Sequence, residues 1–430
     1  MSVLHIGIIS ALLATARGGS ERVAANVANA MVSRGHRVTV FTFSSSQGCS
    51  VYPLDSNVTL RFMDASDQQE AVQANRHMFA LTGLDVCVAM QGYWEQLLFI
   101  LEFLGTGIPY ILSEHSCPAN IERYWSRKGR LAAMSGADAI HMLLPGYLDS
   151  LPDFLRARAC CIPNPAPDVF PSLASPAGLP GKKKILLSVG RNFPIKQIPI
   201  LIRAFQKIER EFPDWRLEIW GRSKDRKAEK ELDDLVKGDA SISLCGETDD
   251  AMGVFSHSQL FCIPSRYEGM PNTLLEAMRC GLPVVGFAGC PGVNEIIKHG
   301  VNGLLAPEMT EESLVGSLIA LMADADRRIA MGEASTKLLA PFEPQLVYDQ
   351  WERLFRRVAM RKGRTRMDVF AEEPFASRAT LCAAARREYI FRNFGEPMPH
   401  SFSWFWNNTK VGISNMWKHL NPFFDGNRHE

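Results

Sequence analysis

Short unbroken apolar runs alternate along the chain with stretches whose apolar residues return at the helical period. Val3–Ile9, His36–Phe43, Leu84–Met90, Ile108–Leu112, Ala139–Leu144 and Ala159–Ile162 have the length and continuity of buried parallel strands. Lys184–Gly190, Arg216–Gly221, Ser241–Leu244, Leu260–Pro264 and Leu282–Gly286 form a second such series. Between the first two runs, Val23, Val27, Ala30 and Met31 make one stripe, which predicts a helix over Ser20–Arg34 with Ser20 as N-cap and Gly35 as its stop. Helices are expected likewise at Tyr93–Leu104, up to about Phe212, at Asp225–Lys237, from Pro271–Asn272 to Gly281, at Glu312–Met322 and at Gln345–Met360. Gly289–Glu295 reads as a turn into a helix, Asn302–Gly303 as a tight turn, and Gln47–Arg76 as polar and irregular.

Strand and helix thus alternate twice over, the signature of an α/β chain with two open, doubly wound parallel sheets. Pro163-Asn-Pro-Ala-Pro167 and Pro171–Pro180 read as a proline-rich linker between them. The expected division is a domain over 1–170, a second over 182–344, a long helix over 345–360, and an extension over 361–430. Arg361–Arg366 is basic, and Ser401–Phe424 is rich in aromatics (Phe402, Trp404, Phe405, Trp406, Trp417, Phe423, Phe424). Such a segment suits either a peripheral membrane contact or a cap on the protein's own surface.

With 430 residues, 22% of them charged, 46% hydrophobic and a net charge of +1, the chain is an ordinary globular one. The balance argues against a nucleic-acid partner. No apolar run reaches the roughly 18 residues that span a bilayer, and the start lacks the basic prefix of a signal peptide. The ten cysteines are scattered and form no C-x-x-C. Buried thiols in a reducing, cytoplasmic compartment are the expectation.

Ser265–Gly281, SRYEGMPNTLLEAMRCG, lies between two strand-like runs and so falls at the carboxyl end of a strand, where open α/β sheets hold their ligands. Its helix carries Leu274, Leu275, Ala277 and Met278 on one arc, which predicts Glu276 on the opposite face. Glu268 lies in the loop before it. The amide groups of Asn272, Thr273 and Leu274 head the helix and suit a phosphate, while carboxylates accept bonds from hydroxyls; a nucleotide sugar satisfies both. In the loop Gly190-Arg-Asn-Phe-Pro-Ile-Lys196, Arg191 and Lys196 can neutralise a diphosphate. His115 follows the run Ile108–Leu112 in the segment Ser113-Glu-His-Ser-Cys-Pro118, where its ring can reach a ligand or be satisfied by backbone. Gly18 and Gly19 sit at a strand–helix turn, without the G-x-G-x-x-G fingerprint. In Glu122–Arg130, Arg123, Arg127, Lys128 and Arg130 lie beside Tyr124 and Trp125; a lipid headgroup, a pyrophosphate or plain solvent would serve equally. Asp233–Asp234 and Asp249–Asp250 lack D-x-D spacing, so no metal is expected.

The run E-G-M-P-N-T-L-L-E resembles the two-glutamate motif of the retaining glycosyltransferases of family four, which have the GT-B fold. The resemblance covers roughly Val3–Met360. It implies two Rossmann-like domains facing an interdomain cleft, with the final helix crossing back to the first domain. It places Glu268 on the donor sugar, Glu276 on the ribose, Arg191 and Lys196 on the diphosphate and His115, with Glu114 assisting, beside the reacting sugar. Gly18 and Gly19 are carried over to the donor phosphates or the acceptor, and Gly190, Gly246, Gly269, Met270 and Pro271 to the donor-binding loops. Gln197 departs from the family, which usually has glycine there. The implied reaction is metal-independent and cofactor-free: a hexose moves from a nucleoside diphosphate sugar, expected to be a UDP-sugar, to a hydroxyl of a glycan or lipid-linked acceptor at the inner membrane face, in cell-surface polysaccharide synthesis. A nucleotide-sugar epimerase and a non-catalytic scaffold share the architecture. The first would release a new sugar without an acceptor, and the second would depend on its tail.

Overall fold

The computed structural model of the protein describes residues 2–43, 48–63, 69–90, 106–124, 127–168, 173–191, 194–222, 225–248 and 250–363. The helix expected at Tyr93–Leu104, Trp125 and the aromatic tail lie outside the described residues. The described residues divide into two compact units, one made of those up to Ile162 together with 348–363, the other of those within Pro163–Val347.

In the first unit the strands are β1 (His5–Ile9), β2 (Arg37–Phe43), β3 (Val58–Met63), β4 (Val86–Met90), β5 (Tyr110–Glu114), β6 (Ala139–Met142) and β7 (Ala159–Cys161), in the order β3-β2-β1-β4-β5-β6-β7. Every pairing is parallel, with Ile6 beside both Val38 and Val86. Strands β1, β4 and β5 are buried throughout, as a parallel sheet covered on both faces requires. The second unit holds β8 (Lys184–Val189), β9 (Trp215–Trp220), β10 (Ile242–Gly246), β11 (Leu260–Ile263), β12 (Val284–Phe287) and β13 (Gly303–Ala306), in the order β10-β9-β8-β11-β12-β13. In both sheets the winding reverses, between β1 and β4 and between β8 and β11, so a crevice is available at the carboxyl ends of each pair.

Some elements differ from their expectation. The polar stretch Gln47–Arg76 contains β3 and the start of a helix, Gln69–Thr82. As the edge strand, β3 is largely exposed, so its composition carries no continuous apolar run. Gly289–Glu295 forms successive turns and no helix. The helix Ala325–Lys337 went unread because its stripe is thin; Asp324 caps it by accepting from the Arg327 amide at 2.9 Å. Beside it, buried Arg328 donates to the carbonyls of Leu321 at 2.6 Å and Met322 at 2.9 Å, which end the helix Glu311–Met322, and to Pro176 at 2.7 Å. One guanidinium thus satisfies a helix end and pins the proline-rich segment.

Three neighbouring strands, β8, β9 and β10, run into glycine at their carboxyl ends. The Gly190 amide donates to the Trp220 carbonyl at 2.9 Å and the Gly221 amide to the Gly246 carbonyl at 2.6 Å. A Cβ on Gly221 would sit 2.0 Å from the Gly190 carbonyl oxygen, and its φ of +126° already disfavours any side chain. Gly221→Ala should therefore cost about 3 kcal/mol, as backbone strain and overpacking add. Gly83→Ala, at φ +68° with open space around it, should lose only the backbone part, about 1 kcal/mol. Equal midpoint shifts for the two variants in urea unfolding would contradict this.

Candidate functional site

In the second unit the loops that leave β8 and β11 meet at the winding reversal. The Arg266 amide donates to the Ile195 carbonyl at 2.8 Å, tying one loop to the other. Lys196 Nζ lies 2.5 Å from Glu268 Oε1, and the same oxygen accepts from Ser265 Oγ at 2.6 Å. The two side chains are 21% and 10% exposed, so the pair is sheltered yet reachable from solvent. Lys196 also lies along Gly190, with its Nζ 3.9 Å from where a Cβ would stand. Arg191, by contrast, is solvent-exposed. Gln197 adopts φ +50°, ψ +34°, the left-handed conformation in which glycine is at ease.

The loop then turns through buried Gly269, Met270 and Pro271 into the helix Asn272–Arg279. Asn164 anchors it, donating from Nδ2 to the Met270 carbonyl at 3.0 Å. The Leu274 amide donates to the Pro271 carbonyl at 3.1 Å, so the anion-holding role expected of that amide is taken by a backbone bond. Glu276 also departs from expectation: instead of facing outward it is 5% exposed. The apolar arc does not mark the only packed side, because Leu274 to Met278 are buried in succession. Burial pushes the nearby Cys280 thiol up to about 12, with the Glu276 charge adding to it.

In the first unit, His115 follows β5. Its Nε2 lies 2.9 Å from Ser113 Oγ, which is also 2.7 Å from Nδ1 of His141. His141 Nε2 in turn reaches the Ile162 carbonyl at 2.8 Å, and its ring packs on Trp351 at 4.4 Å. Burial holds the His115 pKa down at about 3, with His141 adding to the effect, and the His141 pKa at about 4. Both imidazoles are neutral at pH 7. Glu114 does not assist His115. Both its oxygens are held by Arg130, from Nε at 2.8 Å and Nη2 at 2.7 Å, in a pair that is fully buried. Arg130 therefore leaves the basic patch expected around it, whereas Arg123 and Arg127 are exposed. Burial pushes the Glu114 carboxyl up and the guanidinium draws it back.

Gly18 and Gly19 open the helix Gly19–Ser33. Glu21, itself buried, folds back so that its carboxylate stands where a Gly18 side chain would be. A phosphate at that helix end would meet a carboxylate of like charge, which disfavours the donor phosphates and bears less on the acceptor, the other partner the resemblance gives this pair. Among the described residues no three His, Cys, Asp or Glu side chains form a group able to hold a metal, and no helix is long and apolar enough to cross a membrane.

Residues 17–166 match the family Glycosyltransferase Family 4, and residues 171–338 match Glycosyl transferases group 1. The chain belongs to glycosyltransferase family 4. It is 25% identical to an uncharacterized glycosyltransferase of Haemophilus influenzae over 78% of this chain and 95% of that protein. It is 22% identical to a Campylobacter jejuni α-1,4-N-acetyl-D-galactosaminyltransferase, named as acting on GalNAc-α-(1→4)-GalNAc-α-(1→3)-diNAcBac-PP-undecaprenol, over 81% of this chain and 98% of that one. Among solved structures, HepE of Anabaena in complex with UDP and glucose superposes with a TM-score of 0.66 at 14% identity, covering 82% of this chain and 99% of the other. The likeness shows the GT-B fold.

Sequence reasoning on this glycosyltransferase missed Ser113, His141, Ser265 and Asn164. Ser113 had a usable signal: in an extended segment, residues two apart point the same way. Ser265 had one too, three residues before Glu268 in the same loop, whereas His141 and Asn164 are brought in from separate elements by the tertiary fold alone. Because the His141 pKa is lower folded than unfolded, the unfolded chain binds the proton first as pH falls from 6.5 toward 4, and stability is lost across that window. The His141 share of the loss between pH 7 and pH 5 is about 2 kcal/mol. His141→Gln should remove that much of the slope, and equal slopes in paired denaturation series would refute the assignment.

Proposed function

We propose that this chain is a retaining, metal-independent hexosyltransferase that moves a hexose from a nucleoside diphosphate sugar, a UDP-sugar, to a hydroxyl of a glycan or lipid-linked acceptor. The observation that carries the reading is the Lys196–Glu268–Ser265 cluster, which joins the two loops at the winding reversal of the second sheet beside the start of the helix Asn272–Arg279. A diphosphate there would draw Lys196 away from Glu268 and leave that carboxylate to accept from sugar hydroxyls. Arg191 and the amides of Asn272 and Thr273 add positive potential where charge develops on the leaving group. Glu276 is assigned to the ribose and His115 to the side of the reacting sugar. The undecaprenol-linked acceptor in the name of the Campylobacter relative and the UDP and glucose held by HepE support the acceptor and donor classes. A cytoplasmic enzyme in cell-surface polysaccharide synthesis, peripheral on the inner membrane face, fits them.

Calorimetric titration with UDP and GDP in the presence of a chelator tests the reading. UDP should bind without divalent metal. Replacing Glu276 by Gln should weaken UDP by about 10- to 100-fold, the worth of a hydrogen bond to a charged group. His115→Ala should leave UDP affinity in place and lower turnover. Neither nucleotide binding, or equal affinities for wild type and the Glu276 variant, would sink the corresponding assignment.

A further inference from the structure

The hydrogen-bond chain behind His115 determines where its proton sits. The Ile162 carbonyl can only accept, so the His141 Nε2 that lies 2.8 Å from it carries a proton. His141 is fully buried and neutral, so its Nδ1 offers a lone pair. Ser113 Oγ, 2.7 Å away, has a single proton, and that proton goes to His141 Nδ1. Toward His115 the hydroxyl is then an acceptor, and the contact at 2.9 Å requires the His115 proton on Nε2. His115 Nδ1 is left as a bare acceptor with no hydrogen-bond partner among the described residues. The opposite tautomer would turn the Ser113 proton toward His115 and strand a buried lone pair on His141. No carboxylate on the same strand competes, because Glu114 is closed on Arg130.

We infer that Ser113 and His141 are positioning residues that lock His115 as its Nε2–H tautomer and present Nδ1 as an acceptor for a ligand hydroxyl. The nature of that ligand rests on the transferase reading; the state of the ring does not. A fixed acceptor favours a ligand that donates a hydrogen bond at that point and disfavours one that only accepts there. The lock also keeps His115 from offering an N–H from Nδ1 to a leaving phosphate.

The test is a long-range proton–nitrogen correlation spectrum of the full chain labelled with nitrogen-15 in histidine. His115 should show the Nε2–H pattern from pH 8 to pH 5. Ser113→Ala should convert it to a tautomer mixture and lower the turnover of UDP-sugar about tenfold, as loss of an orienting partner does, with UDP affinity unchanged. Ser113→Thr, which keeps the hydroxyl, should restore both the pattern and the rate. A wild-type ring protonated on Nδ1 would overturn the inference even if no variant folds. So would an unchanged pattern in the Ala variant, or equal rate losses in the Ala and Thr variants. The expected ring pattern in a protein that binds no nucleoside diphosphate would uphold the lock and overturn the proposed reaction instead.

Discussion

Parallel pairing constrains this chain more than any single contact. A parallel strand cannot be reached by a hairpin, so each connection must cross the sheet and return, and all carboxyl ends collect along one edge. Every strand pairing in both sheets is of this kind. The candidate site residues therefore lie in loops after strands: Lys196 after β8, Glu268 after β11 and His115 after β5. Their proximity, where it occurs, follows from strand order and not from sequence distance. Glu268 lies 72 positions from Lys196, yet β8 and β11 are neighbours, and the two side chains touch.

The two ion pairs illustrate opposite uses of the same chemistry. Glu114 and Arg130 are 2% and 1% exposed, with both carboxylate oxygens engaged. Such a pair must stay intact, since removing either partner strands a buried charge. Lys196 and Glu268 meet through one carboxylate oxygen at partial exposure. A competing anion can part them without leaving a charge in a dry interior. Burial thus separates a structural pair from an exchangeable one, although both are Lys or Arg beside Glu.

The sequence was most legible where periodicity and burial coincide. The fully buried strands β1, β4 and β5 announce themselves as continuous apolar runs, and the helix after β11 by its cap and stop. The edge strand β3, half in solvent, has no such pattern. The meeting of Lys196 and Glu268 was foreshadowed in the sequence, because both fall in loops just past strands. Burial of Glu276 was not, since a one-helix pattern cannot show that neighbouring elements enclose the helix from several sides. Nor could sequence show that Glu21 covers Gly18 or that Arg130 turns inward to Glu114. Those depend on how side chains from separate elements choose partners once water is excluded.

The Trp351–His141 contact ties the last described helix to the first sheet. Trp351 lies in the helix Pro344–Ala359, past residue 338, where the family match ends. Its indole walls the imidazole that keeps Ser113 turned, and hence His115 set. A chain trimmed to its recognisable family core would retain every motif residue and still lose that wall. His141 would then meet water and take up a proton near neutrality. The minimal functional unit of this fold is therefore longer than the stretch by which it is recognised.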